Sequence, residues 1–203
     1  MLAGTTGCWA QAIAVGAIGG IRATGDTPYV GESKRYAVGP AVAVGLPHGF
    51  GIEVDAIYRR EGYADYYPVF PIPGFGFEHE RSNSWEFPIL AKYRLPLHRF
   101  HVEAGYAPRK LHGTSSQNAV AYVLQGTSVQ SITLVPLFSH TTEPVDYPIS
   151  HGFVLGGGTH FGFGRLALAP VVRYTHWNNA VPLPNSPQNQ VDVLLGIGWR
   201  VNR

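Results

Sequence analysis

Charged side chains at alternate positions are the first residues of this sequence that could do chemistry. In the stretch 51–62, Glu53, Asp55 and Arg59 fall on one face, because successive side chains of a strand point to opposite faces. In an enclosed, water-poor interior such groups stay charged only if they are paired. We therefore predict cross-strand salt bridges that plug this interior, with a charged path for solutes or protons as the alternative. The predicted network comprises Glu53, Asp55, Arg59, Glu86, Lys92, Arg94, Glu103, Arg173, Asp192 and Arg200.

Metal-binding chemistry has little support in the sequence. The nine histidines are dispersed, and no His-x3-His or His-Glu-x2-His spacing occurs. The single cysteine, Cys8, excludes an intramolecular disulfide and a cysteine-rich metal site. His101 and His160 are predicted to face the same interior as the charged set. We predict no metal and no cofactor.

The composition is that of a β protein. Among 203 residues, 25 are glycine, 45% are hydrophobic and only 14% are charged, which favours tight turns over solvated helical surface. A net charge of +2 with scattered basic residues excludes nucleic acid as a partner. No apolar stretch approaches the roughly 18 residues of a transmembrane helix. The mean hydropathy of -0.01 is typical of alternating apolar and polar residues.

Alternation predicts eight strands, which must position the charged set. The last of them, 190–201, places Val191, Leu195 and Trp199 on one face and Asp192 and Arg200 on the other. Its length exceeds the roughly 5–6 residues of an ordinary globular strand and suits the roughly 9–11 residues of a tilted transmembrane strand. The predicted strands are 11–22, 36–46, 51–62, 84–95, 100–109, 152–161, 165–177 and 190–201.

The connections between these strands alternate between long and short. Long links follow strands one, three, five and seven, and short turns follow strands two, four and six. This asymmetry predicts an all-β fold, an eight-stranded up-and-down antiparallel transmembrane β-barrel with long loops outside the cell and short periplasmic turns. Residues 63–83 are predicted as a loop and 110–150 as an irregular region. In the latter, the patch 129–138 forms either a strand extension or a cover.

The small residues on the charged faces decide which face is inside. Glycine and alanine fit the narrow lumen of an eight-stranded barrel, whereas the bulky face can cover lipid. A soluble ligand-binding barrel with an apolar interior stays open as an alternative. The aromatic stretch 63–77 either packs on neighbouring loops or binds a partner or lipopolysaccharide. Aromatic girdles at the two membrane interfaces are predicted for Tyr58, Trp85, Tyr93, Tyr106, Tyr174, Trp177 and Trp199.

The beginning of the chain lies outside the predicted barrel. Residues 1–10 are interpreted as the remnant of a signal peptide, because Cys8-Trp9-Ala10 places small residues at the two positions that a signal peptidase reads. The alternative is a disordered N-terminus. Residues 11–203 then form a single barrel domain.

The strand segments resemble those of small bacterial outer-membrane β-barrels of the OmpA-transmembrane and OmpX-like type. The resemblance implies an outer-membrane location, contact with outer-membrane lipid, a monomer and a structural or surface-interaction role without enzymatic activity. An extracellular partner would meet residues 63–83 and 110–150, and a small-solute pore is the alternative. The segments that carry the resemblance are 35–40, 51–56, 83–88, 152–158, 173–175 and the last strand.

One segment, 173–179, locally resembles the His-x-Ser-Asn segment of outer-membrane lipid A deacylases, in which a strand histidine activates a serine. His176 matches the histidine, but Asn178 stands at the nucleophile position and Gln190 at the position expected for the acid. An asparagine amide cannot supply the attacking oxygen of acyl transfer. We therefore predict no catalysis, and we interpret His176 as an interfacial side chain beside Trp177.

Overall fold

A computed structural model describes residues 12–24, 30–31, 33–69, 74–95, 99–125, 131–178 and 188–201. All regular structure in these ranges is β, apart from the short 3-10 turn Pro47–Gly49. None of the described residues forms a helix that could span a membrane. The strands are β1 (Ala12–Arg22), β2 (Val30–Gly31), β3 (Tyr36–Gly45), β4 (Phe50–Asp55), β5 (Ile57–Val69), β6 (Gly74–Glu86), β7 (Ile89–Arg94), β8 (Phe100–Gln125), β9 (Ser131–Asp146), β10 (Ser150–Thr159), β11 (Phe161–Phe163), β12 (Leu166–Trp177) and β13 (Asn189–Arg200).

Eight antiparallel strands form a closed barrel. Each strand hydrogen-bonds to the next in the order β1, β3, β4, β7, β8, β10, β12 and β13, and β13 returns to β1. At this closing seam, Ala14 lies opposite Arg200 and Arg22 lies opposite Asp192. The predicted eight-stranded up-and-down antiparallel barrel is confirmed.

Two predicted irregular regions are strands, so these two sequence predictions are wrong. The predicted loop 63–83 is most of a β5–β6 hairpin, in which Tyr63 lies opposite Glu80. The irregular region 110–150 is built by β8 and β9, which pair from His112 with Asp146 onwards. The physical reason is that these strands extend beyond the barrel wall, where neither face contacts lipid, so they lack the apolar alternation that marks the wall.

Together these extensions form four adjacent antiparallel strands in the order β5, β6, β8, β9, and the short strand β2 pairs with β5 as a fifth strand at the edge. We call residues 60–69, 74–83, 110–125 and 131–146 the external sheet. Within the patch 129–138, β9 begins at Ser131, which makes that part a strand extension, whereas 126–130 lie outside the described residues. The predicted N-terminal segment 1–10 also lies outside the described residues.

The outer surface of the barrel is apolar on every wall strand. Leu155, for example, exposes 59% of its surface although it lies in the middle of β10. Exposed hydrophobic side chains recur at alternate positions, as the pleat requires. They include Val15, Ile21, Val38, Val42, Ile52, Val54, Ile89, Val102, Phe153, Leu155, Val172, Val193, Leu195 and Ile197.

Aromatic rings lie at two levels on this surface. Near the short turns, the rings of Phe50 and Tyr93 have centroids 4.8 Å apart, and Trp199 lies exposed on β13. Near the external sheet, Tyr58 packs on Trp85 with centroids 5.3 Å apart. Tyr106 and Tyr174 are exposed beside the same end of the barrel.

Trp177 does not belong to these girdles, and its sequence prediction is wrong. Its side chain is fully buried on the lumen face, because it shares the parity of Arg173 and Thr175 on β12. Gly152 lies opposite it in register, and a Cβ atom there would lie 2.8 Å from Trp177 Cε3. The missing side chain at Gly152 therefore makes room for the indole inside the barrel. His176 points outward, on the other face of β12.

Candidate functional site

The middle of the lumen is crossed by the side chain of Arg173. Its Nε donates to Glu103 Oε1 at 2.5 Å, its Nη1 to Asp55 Oδ2 at 2.5 Å and its Nη2 to Glu53 Oε1 at 2.7 Å. In the strand order, β12 and β4 are four positions apart in a ring of eight, so they lie on opposite walls. Arg173 therefore connects its own wall directly to the opposite one.

Lys92 joins the same cluster from β7. Its Nζ lies 2.6 Å from Glu53 Oε2 and 3.1 Å from Glu103 Oε2. His101 Nε2 lies 3.7 Å from the same Glu103 oxygen. We call Arg173, Lys92, Glu53, Asp55 and Glu103 the central network.

A second cluster lies closer to the external sheet. Arg59 contacts Glu86 through Nε at 3.1 Å and Asp192 through Nη2 at 2.7 Å. Arg22 contacts Glu61 at 2.9 Å, and Arg109 Nη1 lies 3.6 Å from the same Glu61 oxygen. We call Arg22, Arg59, Glu61, Glu86, Arg109 and Asp192 the upper network. All of these side chains are buried.

An aromatic ring completes the upper network. The Arg109 guanidinium carbon lies 4.0 Å from the centroid of the Trp177 ring, close enough for a cation–π contact. Trp177 Nε1 also donates to Gln190 Oε1 at 3.3 Å, and Gln190 Nε2 donates to Asp192 at 2.7 Å. The indole thus connects Arg109 to the rest of the cluster.

Three members of the upper network, Arg22, Glu61 and Arg109, escaped the sequence prediction. The alternation of side chains along each predicted strand would have placed all three on the lumen face. Arg22 shares the face of Ile18, Glu61 follows Arg59 by two residues, and Arg109 stands two residues after Ala107. The predicted strands 11–22, 51–62 and 100–109 contain all three positions, so the signal was present and only the face assignment had to be continued.

Two predicted network members have different surroundings. Arg94 and Arg200 lie on the lumen face near the short turns, and neither contacts a carboxylate among the described residues. Arg200 Nη2 instead lies 3.1 Å from His160 Nε2. His101 and His160 both face the lumen, where the sequence placed them. Beyond the central network the lumen is therefore not filled by ion pairs, and a cavity lies there.

On the buried face of the external sheet, hydrogen bonds satisfy the carboxylate of Glu80. Glu80 accepts hydrogen bonds from Ser82 Oγ at 2.8 Å and from the Tyr147 hydroxyl at 2.7 Å. Burial, followed by the hydrogen bond to Glu80, raises the pKa of Tyr147 above its usual range. The phenol consequently stays protonated and donates to the carboxylate at physiological pH.

The aromatic side chains of the stretch 63–77 pack against one another on the external sheet. The Tyr66 and Phe77 rings have centroids 4.9 Å apart, and Phe75 lies 6.4 Å from Tyr66. Tyr66 nevertheless exposes 65% of its surface. The stretch therefore combines internal packing with an open aromatic face.

The residues that resemble a deacylase motif are not brought together. His176 is exposed on the outer face and its Nδ1 lies 2.9 Å from Asn189 Oδ1. Gln190 is buried in the lumen on the opposite face of β13, where it contacts Arg22 and Asp192. A histidine and an orienting group on opposite faces of the wall cannot act on one substrate. Within the described ranges no cluster of histidine, cysteine, aspartate and glutamate could hold a metal ion.

Comparison with known proteins finds similar solved structures. No protein-family model matches the sequence, and no curated protein does. The chain is similar to Ail, the attachment invasion locus protein of Yersinia pestis, with 10% identity over 94% of this chain and 97% of that chain, at a TM-score of 0.44. The structure of Ail with the heparin analogue sucrose octasulfate gives 10% identity, the same coverage and a TM-score of 0.38. Neisserial surface protein A gives 12% identity over 94% of each chain and a TM-score of 0.33.

The surface of the barrel determines its environment. A continuous exposed apolar wall between two levels of aromatic rings is stable in contact with lipid, and a closed barrel leaves no unpaired strand edge inside the bilayer. The protein is a transmembrane β-barrel of the bacterial outer membrane. Since outer-membrane barrels have short turns on the periplasmic side, the short turns, the start of β1 and the end of β13 are assigned to the periplasm and the external sheet to the outside of the cell.

Proposed function

We propose that this protein is a non-conducting outer-membrane barrel whose role is to hold the external sheet at the cell surface for contact with other molecules. The observation that carries the proposal is the course of Arg173, which crosses the lumen to reach Asp55 and Glu53 on the opposite wall. A solute that moves through the barrel would have to displace this side chain. The external sheet then becomes the part that is available for interaction.

Charge supports a closed lumen. The upper network contains three arginines and three carboxylates, all buried and within contact of an opposite charge. Separating such buried pairs would leave uncompensated charges in a medium of low polarity, at a cost of several kcal/mol per ion. Two successive networks therefore oppose both hydrated ions and neutral solutes.

The closed lumen predicts an electrical result. Purified, refolded protein in a planar bilayer should give no large, stable open-channel steps at moderate voltage. Heat-modifiable migration on a gel, which reports the folded barrel, should be checked on the same sample, so that an unfolded preparation is not mistaken for a closed one. Large and stable single-channel currents would show that the small-solute pore is the correct alternative.

The outer face of the external sheet suggests what it contacts. Above the Tyr58–Trp85 pair, Arg60 and Arg81 occupy the same face, whereas Lys110, opposite Trp85 on β8, is already paired with Asp146 at 2.8 Å. Cationic side chains just beyond an aromatic girdle lie at the depth of the phosphorylated headgroups of the outer leaflet. We therefore include lipopolysaccharide as the contacting partner, with guanidinium–phosphate pairing as the recognition chemistry.

This part of the proposal predicts a lipid-dependent stability. The unfolding temperature of the wild-type barrel should rise when lipopolysaccharide is added to phosphatidylcholine vesicles, and the double variant Arg60→Gln/Arg81→Gln should lose most of this rise. The control Arg99→Gln/Arg165→Gln removes the same charge from the periplasmic turns and should keep it. An equal rise in all three proteins, or no rise in the wild type, would contradict this contact.

A further inference from the structure

A cavity of about 660 Å³ occupies the periplasmic half of the lumen. It lies between the central network and the short turns, because Glu53 and Lys92 border it at one end and Pro47, Gly49 and Arg165 at the other. Its volume falls in the range of sites for small organic molecules, roughly 300–1,000 Å³. The lumen is therefore closed at its centre and hollow towards the periplasm.

One wall of this cavity is apolar and built from small side chains. The residues come from four consecutive strands, β12, β13, β1 and β3, which adjoin one another around the closing seam. Methyl groups and glycine backbone offer no hydrogen-bonding side chain, so this wall suits an apolar group. Its residues are Ala14, Gly16, Ala41, Ala43, Ala167, Ala169, Gly196 and Gly198.

The mouth of the cavity is cationic. Arg94, Arg200 and His160 line it, and Arg200 Nη2 is held 3.1 Å from His160 Nε2. Since guanidinium only donates, this contact uses a neutral imidazole as acceptor. Three arginines, Arg94, Arg165 and Arg200, thus line one opening, and none of them contacts a carboxylate among the described residues.

The sequence leaves this positive charge without compensation. It contains no aspartate or glutamate from 33 to 52, from 87 to 102, from 147 to 191 or after 192, which covers all three periplasmic turns. The carboxylate nearest the cavity, Glu53, is already engaged by Lys92 at 2.6 Å and by Arg173 at 2.7 Å. A ligand with an anionic group would supply the missing partner.

We propose that this cavity is a binding site for a small amphiphilic carboxylate that enters from the periplasm. Its carboxylate would pair with Arg200 and Arg94 at the mouth, and its alkyl body would lie against the alanine and glycine wall. A purely inorganic anion would leave this wall uncovered, and a neutral alcohol would leave the arginines unpaired. The site is independent of the proposed surface contact and rests only on the orientation of the barrel in the membrane.

Titration with sodium hexanoate tests the site directly. This probe is short enough to stay in solution beside detergent or nanodisc-embedded protein. Amide NMR shifts of isotope-labelled wild type are expected to move with saturation at cavity positions such as Ala14, Ala169 and Gly198, while outward positions such as Leu195 stay still. Hexanol and inorganic phosphate, at equal concentration, are expected to produce clearly weaker effects.

Two variants separate the charge from the apolar wall. Arg200→Gln should weaken hexanoate binding at least about tenfold, because a charge-assisted contact is removed. Arg99→Gln is the matched control: it removes one charge from the same side of the membrane, but Arg99 stacks over Phe161 at 5.8 Å and does not line the cavity. Gly198→Leu should abolish binding by filling the cavity, since a Cβ atom at Gly198 meets only Ala14 Cβ, at 3.8 Å.

Several results would overturn the proposal. Shifts confined to outward amides would mean that hexanoate enters the detergent or lipid instead. Equal loss of binding in Arg200→Gln and Arg99→Gln would show that hexanoate responds to the total positive charge on this side and not to a specific contact with Arg200. Phosphate that binds as tightly as hexanoate would remove the role of the apolar wall. Heat-modifiable migration of every variant keeps these results distinct from misfolding, and Arg200→Gln remains informative if Gly198→Leu does not fold.

Discussion

Replacing Gly16 with alanine should prevent the barrel from closing stably. Gly16 lies on β1 at the seam with β13, and a Cβ atom there would lie 1.9 Å from the carbonyl oxygen of Ile197 and 2.7 Å from the Cα of Gly198. Both are backbone atoms of the closing strand, so they cannot move without breaking the seam. We expect a loss of at least about 3 kcal/mol, the upper end of ordinary overpacking costs.

The matched control lies directly across the seam. Gly198 is the register partner of Gly16, but its own added Cβ would have only an ordinary contact at 3.8 Å. Gly198→Ala should therefore fold like the wild type. The measurement is urea unfolding from detergent micelles, together with the fraction of protein that migrates as folded barrel. Equal stability of the two variants would show that the seam is wider than described.

Arg173→Met should be the most damaging substitution in the lumen. It removes the only guanidinium that contacts Glu53, Asp55 and Glu103 together among the described residues. Removal of one partner from a buried ion pair typically costs on the order of 3–5 kcal/mol, because the remaining charge is left without compensation. In this variant Lys92 still contacts Glu53 and Glu103. Asp55 is therefore the carboxylate that is left without a cationic partner.

Replacing two carboxylates that lose their cationic partner Arg173 with neutral amides tests this explanation. The triple variant Arg173→Met/Asp55→Asn/Glu103→Gln should regain part of the stability lost in Arg173→Met, because fewer buried charges are left unpaired. Arg165→Met, on the exposed turn between β11 and β12, should stay within about 0.5 kcal/mol of wild type. Unfolding free energies in urea provide all three comparisons. If the triple variant is no more stable than the single one, the damage comes from lost packing instead.

The wall of the barrel could be predicted from the sequence because its two faces have different surroundings. Lipid outside and a narrow lumen inside force apolar and small or charged residues to alternate. The predicted strand 36–46 corresponds to β3, Tyr36–Gly45, and 190–201 corresponds to β13, Asn189–Arg200. The same alternation placed Arg173, Glu103 and Asp55 on one face, although it could not show that they meet.

The rest of the molecule lacks such a contrast. Residues such as Ser115, Ser116 and Gln117 on β8 are half-buried on both faces, so their pattern does not distinguish a strand from a loop. Contacts across the lumen also depend on stagger between strands. Arg109 and Trp177 lie on walls that are two positions apart, and only the closed barrel brings the guanidinium onto the indole.

The strand β8 has a mechanical consequence. The other strands that run from the wall into the external sheet are interrupted where the two meet, at Ala56 between β4 and β5, at 87–88 between β6 and β7, and at 147–149 between β9 and β10, whereas β8 runs unbroken from Phe100 to Gln125. A pulling force on the external sheet would therefore reach the wall along one unbroken strand, β8, as well as through the chain at these three junctions. Inside the wall, that load would act as shear along its ladders with β7 and β10, in which many hydrogen bonds resist together.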